Sequence, residues 1–496
     1  MRGARSMRGS IAGVLVACAC SSHPETSAID RLQPCAAADG PTDGYCGVVE
    51  VWEDRGTRTG RRIGLKVVML PALKQDHAGD PLVILAGGPG QGAADMAAAY
   101  EEILRPVEIR RDIVFVDQRG TGKSNPLECR NERDAATTEP GRFATRMRAC
   151  LEAYRPRADV TRYTTDVAMD DLDDVRRFLG YSAIDLYGVS YGTRAAMVYV
   201  RRHGDHVRTV VLDGVTPPDS RLPLYFARDA QRALDLLFRD CAGDPACNAR
   251  FPDLRRRLPA LLDDVGAHPR RIRFADPQTG LSREVEVTRE MLGGILFTAL
   301  YSPTTAADVP LLIEQAEQGN FAGFLAMGAS FRRAAESVAK GMEYSVVCSE
   351  DAPRIAPGAI EREAAGTFLG PALARSFLEP CAFWPAARMD PAYYEVPPSS
   401  LPALVVSGAL DPVTPPAWGA DVASHWKNAR HVVLPGAGHF HVAPGESSTA
   451  CVVRMMAAFL EAGTASGVDA SCAERSKRPP FFLSPSGPVA SAQAAR

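Results

Sequence analysis

The segment from Ile184 to Val200 constrains this chain more than any other. A short apolar run, Ile184-Asp185-Leu186-Tyr187, leads into Gly188-Val189-Ser190-Tyr191-Gly192, and an apolar stretch, Ala195 to Val200, follows. A strand that passes through a G-x-S-x-G turn directly into a helix forces the serine onto a strained, exposed corner, with small neighbours where the backbone must bend back on itself. The pentapeptide alone arises often by chance. The strand before it and the helix after it make Ser190 a candidate nucleophile rather than a helix-capping serine, and the helix N-terminus favours negative charge developing beside it.

The surrounding pattern is that of a sheet covered on both faces. Leu82-Val83-Ile84-Leu85 and Ile113 to Val116 are wholly apolar runs, each closed by a polar or glycine-rich turn: Ala86-Gly87-Gly88-Pro89-Gly90 after the first, Asp117-Gln118-Arg119-Gly120 after the second. Continuous apolar runs suit parallel strands. Two shorter strands are expected at 47–53 and 63–69. A helix is expected over 166–179 with Gly180 as its stop, then strands at 183–187 and 207–212. Strand and helix alternating in this way predict an α/β class with a mostly parallel central sheet.

From 216 to 398 the pattern changes. Helical segments are expected at 225–239, 254–265, 305–317 and 359–369, with a charged β-like patch around 270–287 and a proline-rich exit at Val396-Pro397-Pro398. Sheet periodicity returns at Ala403 to Val406. The expected organisation is therefore a first sheet segment over 40–215, an inserted, largely helical cap over 216–398, and a second sheet segment over 399–475 ending in a helix at 449–460. Residues 476–496 read as a flexible tail.

A serine hydroxyl needs a base, and the base needs an orienting acid. Among nine histidines, His439 stands in Pro435-Gly436-Ala437-Gly438-His439-Phe440, a glycine turn after the strand-like Val432-Val433-Leu434. His441 lies beyond the turn, and His203, His206, His425 and His431 sit at element ends or on the surface. Asp411 follows the strand Leu404-Val405-Val406 in the same way, giving the order Ser, Asp, His. Asp213, after the strand at 207–212, is the rival acid and reads better as loop structure. The backbone N–H of Tyr191 and one from the glycine loop, Gly88 first and Gly87 second, are the expected oxyanion donors.

Gly120 to Ser124 has a superficial look of a phosphate loop, but the first glycine of that motif would fall on Asp117. Nucleotide binding is not expected. Arg119 is expected to pair with Asp117 or another acid to hold this loop. No zinc-ligand spacing, basic stripe or nucleic-acid motif occurs, and a net charge of −3 over 496 residues favours no charged partner. No cofactor or metal is expected, and the expected partner is a peptide or small-molecule substrate.

The amino terminus reads as an export signal over 1–20. Arg2, Arg5 and Arg8 precede a short apolar stretch, and Leu15-Val16-Ala17-Cys18 resembles a lipobox that would anchor the mature chain through a lipid on Cys18. Of twelve cysteines, Cys18 and Cys20 lie in this leader. The other ten, with no CxxC spacing, fit disulfides formed in an oxidising compartment. Pairing in chain order is the simplest arrangement, with Cys241 and Cys247 the safest pair. The expected location is the periplasm or cell envelope, lipid-anchored or secreted.

Together AGGPGQG, DQRGTGKSNPLEC, YGVSYGTRAA, SGALDPVTPP and GAGHF resemble the serine peptidase family of proline iminopeptidase and the secreted bacterial tripeptidyl aminopeptidases. The resemblance implies an α/β-hydrolase fold with a helical cap, a triad of Ser190, Asp411 and His439, and release of amino-terminal residues or short peptides. Ala86 replaces the first residue of the family's HGGPG-like loop, where the contribution is mostly backbone. The cap lacks a proline-iminopeptidase pattern, so the disulfide-rich layout resembles the tripeptidyl aminopeptidase branch more closely. An exopeptidase must also pair a free α-amine with an acid under the cap. Glu350 and Asp351, and then Glu343, around Cys348, are the expected acids, against the plainer reading of ordinary acids on the cap. The alternative activity is hydrolysis of carboxylic esters on the same fold. Epoxide hydrolysis would need a carboxylate where Ser190 stands, and the complete Ser, Asp and His set disfavours a pure binding protein.

Overall fold

The computed structural model describes residues 27–129, 142–277 and 279–488; the leader with Cys18 and Cys20 and the end of the tail lie outside them. Among the described residues eleven strands are found in chain order: β1 (Gln33–Pro34), β2 (Tyr45–Trp52), β3 (Arg62–Leu70), β4 (Leu82–Leu85), β5 (Ile113–Val116), β6 (Ile184–Val189), β7 (Val207–Asp213), β8 (Arg270–Ala275), β9 (Ser282–Val287), β10 (Ala403–Gly408) and β11 (Ala429–Leu434). Nine of them form one sheet in the order β1-β2-β3-β5-β4-β6-β7-β10-β11. β1, β2 and β3 are antiparallel and β3 meets β5 antiparallel; from β5 to β11 every pairing is parallel.

The alternation of side chains explains why the central strands are apolar throughout. On β4, Val83 and Leu85 enter the core under the helices Thr165–Leu179 and Tyr191–His203, while Leu82 and Ile84 enter the core under the helix Thr449–Ala462. On β5, Val114 and Val116 face the first of these cores, and Ile113 and Phe115 the second. Both faces are buried, so a polar residue on either would lose water without a partner.

Between β7 and β10 the chain leaves the sheet and builds the cap from helices that include Phe226–Gly243, Leu254–Ala267, Arg289–Ala299, Val309–Glu317 and Ala322–Glu336, with the β8–β9 hairpin. The cap has its own core, including Leu234, Leu237, Phe238, Leu258, Leu296, Ile313 and Phe324. A mostly parallel sheet wrapped by helices, carrying a helical insertion after β7, is the α/β-hydrolase fold. Two cap segments differ from the sequence reading. The expected helix over 305–317 is two helices, because Pro310 lacks an N–H and belongs in the first turn of the helix that begins at Val309. The expected helix over 359–369 stops at Ala364, two residues before Gly366, which sits in the left-handed region at φ +72°.

All ten described cysteines are bridged in chain order: Cys35–Cys46, Cys129–Cys150, Cys241–Cys247, Cys348–Cys381 and Cys451–Cys472. Among the described residues, no helix is long and apolar enough to cross a membrane. Part of the expected flexible tail is packed: Phe481 is buried in the cap core, with Phe482 and Leu483 against it.

Candidate active site

The parallel register brings the carboxyl ends of four strands to one level: Gly188 of β6 lies beside Leu85 of β4 and Leu212 of β7, and Asp213 beside Val406 of β10. The crevice outside such strand ends is where open α/β sheets place their chemistry. β6 ends at Val189, and Ser190 follows with φ 56° and ψ −124°, a conformation costly for any residue with a side chain. Two glycines make the turn possible. A Cβ at Gly192 would lie 2.0 Å from the Leu85 carbonyl oxygen, and one at Gly188 would lie 2.4 Å from the Gly192 carbonyl oxygen. The turn is held by the Ser190 N–H, which donates to the Asp213 carbonyl at 2.8 Å.

Ser190 Oγ lies 3.0 Å from His439 Nε2, and His439 Nδ1 lies 2.8 Å from Asp411 Oδ2. The three sequence candidates, contributed by the ends of β6, β10 and β11, are thus joined in one hydrogen-bonded line. The Asp411 carboxylate is bonded on every side by its own loop. Its Oδ1 accepts the N–H groups of Val413 and Thr414, both at 2.8 Å, and its Oδ2 accepts the Thr414 hydroxyl at 2.5 Å. Burial alone would raise this carboxyl, but the bonds and charge of His439 and the Thr414 bonds outweigh it and hold the group well below the ordinary carboxylate range. The sequence reading missed Thr414. Its signal is the Asp-Pro-Val-Thr spacing, in which an aspartate bonds backbone N–H groups two and three residues on.

Tyr191 opens the helix after Ser190, so its N–H belongs to the first turn, where no intrahelical acceptor exists. Gly87 packs directly on the nucleophile, its Cβ position 3.7 Å from Ser190 Oγ, while Gly88 is exposed at φ +109°. Gly87, the second choice from the sequence, is therefore the glycine that packs on the serine, whereas the space beside Gly88 is bounded by Gly90 and Gln91 of its own loop. The loop is fastened to the cap, because Ala339 donates its N–H to the Gly90 carbonyl at 2.9 Å.

The acids expected to meet an amine have other partners. Asp351 takes a bidentate pair from Arg194, at 2.9 and 3.0 Å, and also accepts the Leu222 N–H. Glu350 accepts the Thr165 N–H at 2.7 Å and the Thr165 hydroxyl at 2.9 Å, and is bonded by the Tyr393 hydroxyl. All three charged side chains are fully buried. Because the Thr165 hydroxyl donates to Glu350, the Tyr191 hydroxyl, 2.6 Å from it, is the donor in the next bond. Glu350 and Asp351 therefore hold the nucleophile's helix from beneath and do not face the cleft. Burial, and after it the charges of Asp411 and Glu343, push the Tyr301 hydroxyl up, and the Glu343 carboxylate is itself paired with Lys340 at 2.6 Å.

Arg119 also finds a different partner from the first one expected. Its fully buried guanidinium forks onto Asp171 at 2.6 and 2.8 Å, whereas Asp117 accepts the N–H groups of Ala94 and Lys123. Burial pushes the Asp117 carboxyl up to about 6. Asp213 turns to His441 and to the Tyr187 hydroxyl, not to His439. A separate cluster, Asp173, His203 and His206, brings possible ligand atoms within 4.8 Å of one another. Its carboxylate is already met by Arg176 at 2.8 Å, Arg177 at 3.2 Å and the Tyr199 hydroxyl at 3.1 Å, which leaves little negative charge for a cation.

Comparison with known proteins agrees with this architecture. Residues 80–246 match the family model described as alpha/beta hydrolase fold, and residues 366–472 match the one described as TAP-like protein. The chain is 26% identical over 469 residues to a protein of Mycobacterium tuberculosis named serine protease Hip1, covering 87% of this chain and 88% of that one. It is 28% identical over 488 residues to a protein of the same species named carboxylesterase B, covering 86% of each. It is 27% identical over 270 residues to a tripeptidyl aminopeptidase of Streptomyces coelicolor, covering 51% of this chain and 47% of that one. Peptide and ester cleavage are both named among these relatives.

Proposed function

We propose that this serine enzyme of the α/β-hydrolase fold cleaves carboxylic esters through an acyl-enzyme on Ser190. The observation that carries the mechanism is the Ser190–His439–Asp411 line at 3.0 and 2.8 Å. In the first step the Ser190 oxygen attacks the ester carbonyl carbon while its proton passes to His439 Nε2. The carbonyl oxygen, now an alkoxide, is held by the Tyr191 N–H and by an N–H of the Gly87-Gly88 loop. The intermediate collapses, the C–O bond to the alcohol breaks, and His439 returns the proton to the departing oxygen. Water then repeats the sequence on the acyl-enzyme and frees the acid. Asp411 keeps the imidazole in the tautomer that presents Nε2 to the serine and stabilises the transient imidazolium.

Ester rather than peptide substrates are supported by the engagement of Glu350 and Asp351 with Arg194 and Thr165, which leaves neither carboxylate facing the cleft to pair with an α-amine. A second reading, release of amino-terminal residues or short peptides, is favoured by one observation. Glu343 lies on the cap segment tied to the glycine loop and acts on Tyr301, whose ring packs on His439. The TAP-like match supports the same reading.

The deciding experiment compares a chromogenic short-chain acyl ester, a chromogenic tripeptide amide, and that amide acetylated at its amine. A clear preference for the ester, with equal and slow rates on both amides, is expected. Fast cleavage of the free amide, lost on acetylation and weakened in Glu343→Gln, would transfer the assignment to the exopeptidase. The same reading places the protein in an oxidising compartment outside the cytosol, supported by its five bridges.

A further inference from the structure

The cap touches the triad at two points that neither activity requires of a simple cover. On the helix Phe226–Gly243, Arg232 reaches down to the loop after β10. Its Nη1 donates to the Ala409 carbonyl at 2.8 Å and its Nη2 to the Asp411 carbonyl at 2.6 Å. Beyond the helix Arg289–Ala299, the Tyr301 carbonyl accepts the backbone N–H of His439 at 2.7 Å. The Tyr301 ring stands edge-on to the imidazole, with centroids 5.2 Å apart at 79°. One cap residue grips the acid loop and another grips the base loop.

We propose that the cap is a clamp on the acid and base loops, and that Arg232 is a positioning residue that holds Asp411 in register with His439. This rests on the serine-hydrolase reading above.

The alternative is that Arg232 merely packs, and its surroundings argue against that. The guanidinium is half-buried and pays a desolvation cost, which lowers its pKa against the opposing pull of Asp411 and Asp229. A cation placed there for packing alone would be replaced at no loss by an apolar side chain. Its two donors instead span two carbonyls of one tight loop, a match that the planar fork of arginine makes and the single ammonium of lysine does not. The Asp411 carboxylate is fixed by Thr414 within its own loop, and the two loops meet directly where Leu410 donates its N–H to the Ala437 carbonyl at 3.0 Å and the Thr414 hydroxyl lies 3.0 Å from His439 Nδ1; Arg232 and Tyr301 add a second tie, through a common body outside both loops.

The arrangement has an electrostatic signature. The charged and titratable groups around Asp411 and Arg232 are His439, Asp229, Tyr301 and His441, with Arg228 behind Asp229, Glu343 beside Tyr301 and Asp213 beside His441. Removing the Arg232 charge leaves Asp229 and Asp411 less compensated, so the protonated imidazole becomes easier to form. The acid limb of the kcat/KM profile therefore moves to higher pH.

The test uses the full chain and a p-nitrophenyl acyl ester, with Arg232→Met, Arg232→Lys and the wild type measured from pH 5 to 9 and Ser190→Ala as control. Arg232→Met is expected to lower kcat about tenfold or more with KM within about twofold, the pattern of misplaced reacting groups. Its acid limb rises by about half a pH unit. Arg232→Lys keeps the charge but one bond at most, so its limb stays in place while kcat falls by an intermediate amount. A folded Arg232→Met with wild-type kcat and limb would overturn the proposal, as would equal losses in both variants with neither limb moved. If Arg232→Met does not fold, Arg232→Lys decides: reduced kcat with an unmoved limb supports the clamp, and wild-type kcat overturns it. Turnover that survives in Ser190→Ala would instead remove the serine-hydrolase reading itself.

Discussion

The backbone N–H of Ser190 donates to the carbonyl oxygen of Asp213 at 2.8 Å, so the nucleophile's turn is fixed by the main chain of the neighbouring strand and not by the serine side chain. Ser190→Ala is therefore expected to fold and melt as the wild type does. It should lose about a millionfold in kcat, as should His439→Ala, with Asp411→Asn losing about ten-thousandfold. A steady-state assay beside a melting curve checks the pair of outcomes. Substantial turnover in a folded Ser190→Ala would remove the nucleophile assignment.

Gly192→Ala should behave in the opposite way. The new methyl would sit 2.0 Å from the Leu85 carbonyl oxygen, and backbone on both sides leaves no flexible group to yield. Loss of soluble protein, or a melting temperature lowered by many degrees, is expected. A folded Gly192→Ala protein that reacts normally with a fluorophosphonate would contradict the turn geometry.

Glu350 gives a pH effect with a definite sign. Burial, opposed by the Arg194 charge and by bonds from Thr165 and Tyr393, pushes its carboxyl up to about 7 from the ordinary glutamate value of 4.5. The folded state then holds a proton that the unfolded state has released. This stabilising contribution is whole below about pH 4.5 and is lost as pH rises from there through about 7, at up to about 1.4 kcal/mol per pH unit. Chemical unfolding at pH 5 and pH 8 should show the wild type losing more stability over that interval than Glu350→Gln. Equal slopes would reject the shift.

The bridges should differ in value. Cys241–Cys247 spans 6 residues and Cys348–Cys381 spans 33. Closing a longer loop restricts the unfolded chain more, so replacing the first pair by serine should cost about 2 kcal/mol and the second about 4 kcal/mol. Denaturant titrations of the two double variants test this order, and alkylation of the unfolded wild type should find none of the ten bridged cysteines free.

What could be read from the sequence followed the range of the forces involved. The apolar runs of β4 and β5, the serine turn and the stop at Gly180 are decided within a few residues, by burial on two faces and by the steric demands of a tight bend, and each lies where the pattern puts it. Partners that the fold brings from afar were not legible. Arg119 meets Asp171 rather than its near neighbour Asp117, and Glu350 meets Thr165 and Arg194, which lie 185 and 156 residues away along the chain. An acid near a cysteine looks the same in sequence whether it faces a cleft or supports a helix from below. The cap helices Arg289–Ala299 and Ala322–Glu336 were missed for a related reason. Small residues such as Gly293, Gly294, Gly323 and Gly328 blur the helical period, yet Gly323 and Gly328 sit where a Cβ would press on Leu312 and Ile295.

The insertion of the cap between β7 and β10 also separates the reacting groups in time. Ser190 is synthesised with the first part of the sheet, whereas Asp411 and His439 arrive only after the whole cap and the last two strands. A nascent chain still threading through its exit channel carries an alcohol with no base beside it. Cleavage begins only once the last strands have closed the sheet, so a fragment released early is chemically silent in whatever compartment receives it.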